Sequence, residues 1–241
     1  MSCDEPRRTA PAGVLLVALG AIALVLVLVP LAARPPLLGP AALWPLWADL
    51  AEWLPLLAAA LVGGRLWVRA AGPVSGGSLA AVLGARLRPS DLGWGLLLAV
   101  GARAVDALLA FALYGTADGG GAAIIGTDDL PSVLLLVVGT GVVTPIIEEL
   151  FFRGLLQRWL LVRLGGARWG GGAALVATAS VFALLHLVVG GAQGSPAVQV
   201  VGTTLVLGTL TGLAAVITGR IGAAVVGHVL FNLAGIALLY R

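Results

Sequence analysis

Long apolar stretches recur along the whole chain, separated by short segments rich in glycine or charge. Crossing about 30 Å of hydrocarbon takes roughly 20 helical residues, and each stretch is about that long. The pattern predicts an all-α fold: a polytopic membrane bundle of about seven transmembrane helices. In chain order these cover residues 13–33, 41–62, 92–114, 132–162, 172–189, 196–218 and 222–240.

The composition agrees with a membrane location. Of the 241 residues, 60% are hydrophobic and 10% are charged, against about 45–50% and about 25% in soluble proteins. The net charge of +3 comes from Arg alone, because the chain has no Lys. These Arg residues are not clustered as a nucleic-acid surface requires, so we exclude nucleic acid as a partner and expect contact with the lipid bilayer.

The Arg residues outside the predicted helices indicate an orientation, because short cytoplasmic loops are enriched in them. With the N-terminus inside, only Arg34 and Arg241 fall on the outer side. Those on the cytoplasmic side are Arg7, Arg8, Arg65, Arg69, Arg86, Arg88, Arg163, Arg168 and Arg220. We therefore expect residues 1–12 to form a cytoplasmic tail and residues 13–241 a single membrane-embedded domain. The preference for Arg, Ala and Gly favours a bacterial source and hence the inner (plasma) membrane.

Ionisable side chains inside a membrane are costly, so they are usually paired or functional. The predicted fourth, fifth and seventh helices each carry a small set of residues, at least one of them polar, in which two members are four residues apart. Both His and the only Asn of the chain belong to these groups. The members are Glu148, Glu149 and Arg153; Phe182 and His186; and His228 and Asn232.

Spacing of four residues places two side chains on one face of a helix. Glu149 and Arg153 can therefore form an ion pair, whereas Glu148 is turned by about 100° and has no such partner on its own helix. This makes Glu148 the better candidate for a general base. His228 and Asn232 can both donate hydrogen bonds toward one point, as an oxyanion site requires.

His186 completes the candidate chemistry. It can orient a water molecule near Glu148, or bind a metal through a neutral ring nitrogen. A carboxylate base, an imidazole and two hydrogen-bond donors together describe water-mediated attack on a carbonyl group, of which amide hydrolysis is the obvious instance.

At these residues the chain resembles the CPBP family of intramembrane proteases. The family includes the type II CAAX prenyl endopeptidases and bacterial relatives linked to bacteriocin processing and self-immunity. Its motifs Glu-Glu-x-x-x-Arg, Phe-x-x-x-His and His-x-x-x-Asn occur here in the same order, and the resemblance covers about residues 86–241. The matching residues are Glu148, Glu149 and Arg153, then Phe182 and His186, then His228 and Asn232.

The resemblance implies an intramembrane endopeptidase that acts on a membrane-associated peptide or protein, of the CAAX type or in leader or bacteriocin-related processing. It implies that Glu148 and His186 activate the attacking water. His228 and Asn232 would stabilise the oxyanion, while Glu149 and Arg153, with Phe182 of the second motif, support the site.

The part played by a metal stays open at this point. The zinc motif His-Glu-x-x-His is absent from the sequence. Glu148, His186 and His228 could nevertheless supply three ligands to zinc or another divalent metal, and relatives are commonly labelled metalloproteases. We favour a reaction without a cofactor. The alternative to an enzyme is a non-catalytic membrane binding or immunity protein that retains the protease scaffold.

One geometric difficulty arises from the spans themselves. At 1.5 Å per residue, His228 lies about 9 Å beyond the start of its helix and His186 about 21 Å beyond the start of its own. Tilted helices or a longer fourth span would be needed to bring them together.

Three other patterns give simpler expectations. We expect Arg103 and Asp106 to neutralise each other as an intramembrane pair. We expect Asp49 and Glu52 to lie near the outer interface among Trp44, Trp47 and Trp53 in an aromatic belt. Gly208 and Gly212 form a small-xxx-small pattern that predicts close helix packing.

Overall fold

The computed structural model describes residues 10–33, 44–71, 77–117, 130–165 and 167–239. Their regular structure is helical throughout, and no strand occurs among them, which confirms the predicted all-α class. The first four helices are α1 (Ala12–Ala32), α2 (Trp44–Ala71), α3 (Leu79–Leu83) and α4 (Ser90–Tyr114).

Residues 130–164 form one continuous helix in which α-helical and π-helical turns alternate; we call it the interrupted helix. Its α-helical parts are α5 (Leu130–Leu135), α6 (Thr144–Glu149) and α7 (Arg158–Leu164), separated by π-helical stretches at Leu136–Val143 and Leu150–Gln157. The chain then continues through α8 (Gly170–Gly190), α9 (Ser195–Thr218) and α10 (Gly222–Leu239).

The membrane character of the bundle is confirmed. Six helices of the described residues are long and apolar enough to cross a membrane, and α10 is a shorter apolar helix. Large side chains such as Leu97, Leu108 and Phe111 project from the bundle, as contact with hydrocarbon requires. The orientation and the domain boundaries stay predictions, and Arg7, Arg8, Arg34 and Arg241 lie outside the described residues.

The second helix is longer than predicted. We expected it to end at residue 62, before Gly63 and Gly64, but α2 continues to Ala71. The two glycines are buried contact points rather than a helix end: a Cβ at Gly63 would lie 2.9 Å from the side chain of Leu155 on the interrupted helix. Small residues allow this close approach.

The segment between α2 and α4 contains the short helix α3. The Ser78 hydroxyl caps α3 by accepting a hydrogen bond from the Ala81 N–H. Gly84 ends the helix with a φ of +63°, a left-handed conformation that favours glycine. Gly84 is buried, and its carbonyl accepts the Ile221 N–H at 2.9 Å. The start of α10 is thereby covered by this segment.

Candidate active site

The Glu-Glu pair lies at the C-terminal end of α6, between the two π-helical stretches. Pro145 cannot donate a backbone hydrogen bond, and the Thr144 N–H bonds to the Gly139 carbonyl five residues back. The regular helical ladder is thus altered just before the pair. The π-helical geometry, often found at functional sites, continues directly after Glu149.

Glu148 faces two imidazoles from different helices. Its Oε1 lies 3.5 Å from Nε2 of His186 on α8, and its Oε2 lies 3.6 Å from Nε2 of His228 on α10. Both separations are longer than a good hydrogen bond. No N–H or O–H group of the described residues bonds to either Glu148 oxygen, although the side chain is only 1% exposed.

Glu149 turns toward different partners. Its Oε1 accepts the Nδ1–H of His228 at 2.9 Å, and its Oε2 lies 3.3 Å from Nε of Arg153. The predicted ion pair of Glu149 and Arg153 is confirmed. Because a carboxylate can only accept, the His228 proton sits on Nδ1, and Nε2 is the atom directed at Glu148.

His186 is oriented by its own helix. Its Nδ1 donates to the Phe182 carbonyl oxygen at 2.9 Å, so the neutral ring presents the Nε2 lone pair toward Glu148. The buried Phe182 ring packs against His186, with centroids 4.3 Å apart, and against His228 at 5.7 Å. His186 is 31% exposed, against 2% for His228, so His186 is the more accessible of the two imidazoles.

Arg153 and Gln157 join the interrupted helix to α9 at Gly208 and Gly212, the small-residue stripe of that helix. The Arg153 Nη2–H donates to the Gly208 carbonyl at 3.1 Å, and the Gln157 Nε2–H donates to the Gly212 carbonyl at 2.9 Å. A Cβ at Gly208 would lie 3.3 Å from the Cα of Ala179 on α8. The predicted close packing at Gly208 and Gly212 is confirmed. Because glycine has no side chain, the backbone carbonyls of these two residues are also accessible to Arg153 and Gln157.

Asn232 lies one turn beyond His228, as predicted. Its Nδ2 donates to the Thr140 carbonyl at 2.8 Å, which ties α10 to the first π-helical stretch and occupies one of the two amide hydrogens. The second N–H is the one that a substrate oxygen would need. Its role as an oxyanion donor stays a prediction.

Both imidazoles reach Glu148, although His186 and His228 lie at different distances from the starts of their helices. Gly222, Ala223 and Ala224 at the start of α10 are buried. The fourth span is long, covering Ser132–Leu164 with 33 residues, which is one of the two arrangements named above for bringing the two His residues together.

The pairing of Arg103 with Asp106 is confirmed at 2.9 Å. Asp106 also accepts hydrogen bonds from Thr203 at 2.7 Å and Gln199 at 3.1 Å. Arg103 reaches further, donating through Nε and Nη2 to the Phe231 carbonyl at 3.0 and 2.7 Å. This pair thus holds the turn of α10 next to Asn232.

Trp53 on α2 contacts the interrupted helix, because its indole donates to the Thr144 hydroxyl at 2.8 Å. Its neighbour Glu52 is half-buried. An acidic residue within an apolar span favours such an inward position. The expected place of Asp49, Glu52 and the Trp residues near the outer interface stays a prediction.

A metal site requires several ligand side chains placed around one point. Within the described residues, no group of three or more His, Cys, Asp or Glu side chains is placed to hold a metal ion. The metal set suggested from the sequence, Glu148, His186 and His228, does not meet this geometry.

The comparison with protein families identifies one match. Residues 130–234 match the family model described as type II CAAX prenyl endopeptidase Rce1-like. No curated protein and no solved structure matches the chain. The matched segment contains all three motifs, and it leaves out α1 to α4.

Proposed function

We propose, on the premise that residues 130–234 belong to the family of type II CAAX prenyl endopeptidases, that this protein hydrolyses a peptide bond inside the membrane. The observation that carries the proposal is the environment of Glu148. It is a buried carboxylate without a hydrogen-bond donor, and it faces Nε2 of two imidazoles at 3.5 and 3.6 Å. Such a group is costly in a membrane unless it performs chemistry.

Water activation follows from the acceptors present. A water molecule between Glu148 and His186 would donate one hydrogen to the carboxylate and one to the Nε2 lone pair. Its oxygen would then attack the substrate carbonyl carbon as Glu148 takes a proton. Delivery of that proton to the leaving nitrogen breaks the C–N bond and restores the carboxylate.

The oxyanion would be stabilised from α10. The second Asn232 N–H and the Nε2–H of a doubly protonated His228 are the two donors that we assign to it. Glu149, bonded to His228 Nδ1 at 2.9 Å, balances the positive charge of that ring. Arg153 and Phe182 hold Glu149 and the two imidazoles in place.

A membrane-delivered substrate suits this geometry. Glu148 is 1% exposed, and the more exposed His186 stands beside it. We propose a peptide with a lipid-modified C-terminal segment, the CAAX type, as the substrate class, with leader or bacteriocin-related peptides as a second class to be tested.

The test uses the purified full chain in lipid vesicles with two fluorogenic peptides of one sequence, only one of them farnesylated at its C-terminal cysteine. Glu148→Gln keeps the shape of the side chain but removes the base, so cleavage should fall by about 10²–10⁴-fold. Full cleavage by Glu148→Gln would overturn the proposal. Absence of cleavage of both peptides by the wild-type chain would favour the non-catalytic binding or immunity protein.

Adding a chelator to the same assay distinguishes catalysis by a carboxylate base from catalysis by a metal. Cleavage that survives chelator but not Glu148→Gln supports the base mechanism, whereas loss with chelator and recovery with zinc indicates a metal. Monodisperse elution of each variant confirms that it folds.

A further inference from the structure

A cavity of about 330 Å³ lies at one end of the bundle, between α2, α3, α7 and α9. It reaches the level of the helix ends, because it is lined by Gly77, which precedes α3, and by Gly219, which directly follows α9. Trp67, Leu161 and Ala215 contribute to its apolar walls. No residue of the three sequence motifs is among its described lining residues. Its volume falls within the range of ligand sites, about 300–1,000 Å³, and it is separate from the proposed active site.

One charged side chain, the half-buried Arg158 of α7, is among the described residues that line this cavity. Its Nη1–H donates to the Val82 carbonyl at 3.3 Å, and its Nη2–H donates to the Gly219 carbonyl. These bonds hold the guanidinium at the ends of α3 and α9. An arginine side chain carries five N–H groups, so these two bonds leave others for a ligand.

Arg158 differs from other arginines of the bundle in its charge balance. Arg153 and Arg220 each have a nitrogen within 3.3 Å of a carboxylate oxygen. No Asp or Glu of the described residues forms an ion pair with Arg158. A charge among membrane helices is costly unless it is paired. The cavity therefore contains a positive charge that a bound anion would balance.

The edge of the cavity is formed by apolar side chains that project from the bundle. Val162 on α7 and Val216 on α9 both line it, and each is 44% exposed. Exposed apolar side chains on membrane-spanning helices face the acyl chains of the lipid. An acyl chain can thus enter between these helices, while the guanidinium lies near the helix ends, where polar headgroups begin.

We propose that this cavity binds an anionic phospholipid, with one acyl chain against its apolar walls and the phosphate on the remaining N–H groups of Arg158. Guanidinium and phosphate form bidentate, charge-assisted hydrogen bonds. Basic pockets between membrane helices suit anionic headgroups for the same reason. A zwitterionic lipid also has a phosphate, but its ammonium group adds a second positive charge, so a lipid with net negative charge is favoured. This site goes beyond the proposed peptidase function and does not depend on it.

The test measures the affinity of the full chain for two lipids with identical acyl chains. Native mass spectrometry in detergent, titrated with phosphatidylglycerol or phosphatidylcholine, gives the Kd of the first bound lipid. Wild type should bind phosphatidylglycerol about 10-fold more tightly, and Arg158→Leu should remove this preference. Arg163→Leu is the matched control, because it removes an exposed charge five residues further on from a residue outside the cavity. It should keep the preference.

A second variant tests the apolar part of the site without changing Arg158. Ala215→Leu extends a lining side chain into the cavity and should weaken binding of both lipids by about 3–10-fold. Equal affinity of wild type for the two lipids would overturn the proposal and favour a protein partner in the cavity. Equal loss in Arg158→Leu and Arg163→Leu would also overturn it, because general surface charge would then explain the preference. If Arg158→Leu does not elute as a single folded species, unchanged affinity in Ala215→Leu overturns the proposal and weakened affinity supports it.

Discussion

Two buried carboxylates in this bundle differ in their hydrogen-bond partners. Asp91, at the start of α4, is fully buried and receives a bidentate interaction from Arg220, with contacts of 2.7 to 3.1 Å, and the Arg88 N–H at 2.8 Å. Glu148 is equally buried, but its oxygens have no hydrogen-bond partner among the described residues and lie 3.5 and 3.6 Å from imidazole nitrogens. The satisfied carboxylate joins α4 to the turn between α9 and α10, whereas the unsatisfied one is the group to which we assign the proposed chemistry.

The largest effect on stability is expected at the satisfied carboxylate. Asp91→Ala removes the ion pair between Arg220 and α4, while the bond from Arg220 to the Ser90 hydroxyl remains. We expect the free energy of unfolding to fall by about 2–3 kcal/mol, less than a fully buried pair would lose because the Arg220 side chain is 13% exposed. Denaturant titration in detergent measures this, and a loss below about 0.5 kcal/mol would contradict the role of this ion pair.

The next largest effect on stability is expected at the small-residue stripe of α9, where Arg153 and Gln157 donate hydrogen bonds to glycine carbonyls. A methyl group at Gly212 would meet Leu175 at 2.6 Å and the Gln157 amide oxygen at 2.8 Å. Gly212→Ala should therefore lower the free energy of unfolding by about 2 kcal/mol. Gly101→Ala is the control, since its methyl group would meet only Leu210 at 3.8 Å. Equal unfolding midpoints for the two variants would contradict the close packing.

A smaller effect is expected for Arg103→Met, which keeps the length of the side chain and removes its charge. The Phe231 carbonyl and Asp106 lose their shared donor, while Thr203 and Gln199 still bond to Asp106. We expect a loss of about 1–2 kcal/mol. Cleavage should also fall because Asn232 follows Phe231. Unchanged cleavage in the folded variant would show that this pair is purely structural.

The smallest effect on stability is expected at Glu148 itself. Glu148→Gln removes a group that has no N–H or O–H donor, so the free energy of unfolding should stay within about 0.5 kcal/mol of wild type or rise. The same titration measures it beside Asp91→Ala. A loss as large as that of Asp91→Ala would mean that both carboxylates are structural.

Local spacing was sufficient to predict part of this arrangement. The apolar lengths gave the membrane helices, and spacings of three and four gave the pairs Arg103–Asp106 and Glu149–Arg153. Such pairs depend on one helix, whose period is fixed by backbone geometry. The motif resemblance supplied the grouping of Glu148, His186 and His228, which no local period contains.

Contacts between distant segments were not predictable in the same way. The bond from His228 to Glu149 and the bond from Trp53 to Thr144 depend on how whole helices are placed. The extension of α2 past Gly63 depends on Leu155 lying against that glycine. The buried start of α10 likewise depends on Gly84, far away in the sequence.

The π-helical stretch Leu150–Gln157 has a consequence for how the chain tolerates insertion and deletion. A π-helical turn holds one more residue than an α-helical turn without lengthening the helix in proportion. Removing a single residue there is therefore absorbed by a return to regular α-helical turns, and the two ends of the helix keep nearly the same orientation. Removing one residue from the α-helical part Thr144–Glu149 has no such outlet and would rotate one end of the helix against the other by about 100°. This chain should therefore tolerate the loss of one residue in Leu150–Gln157 better than in α6.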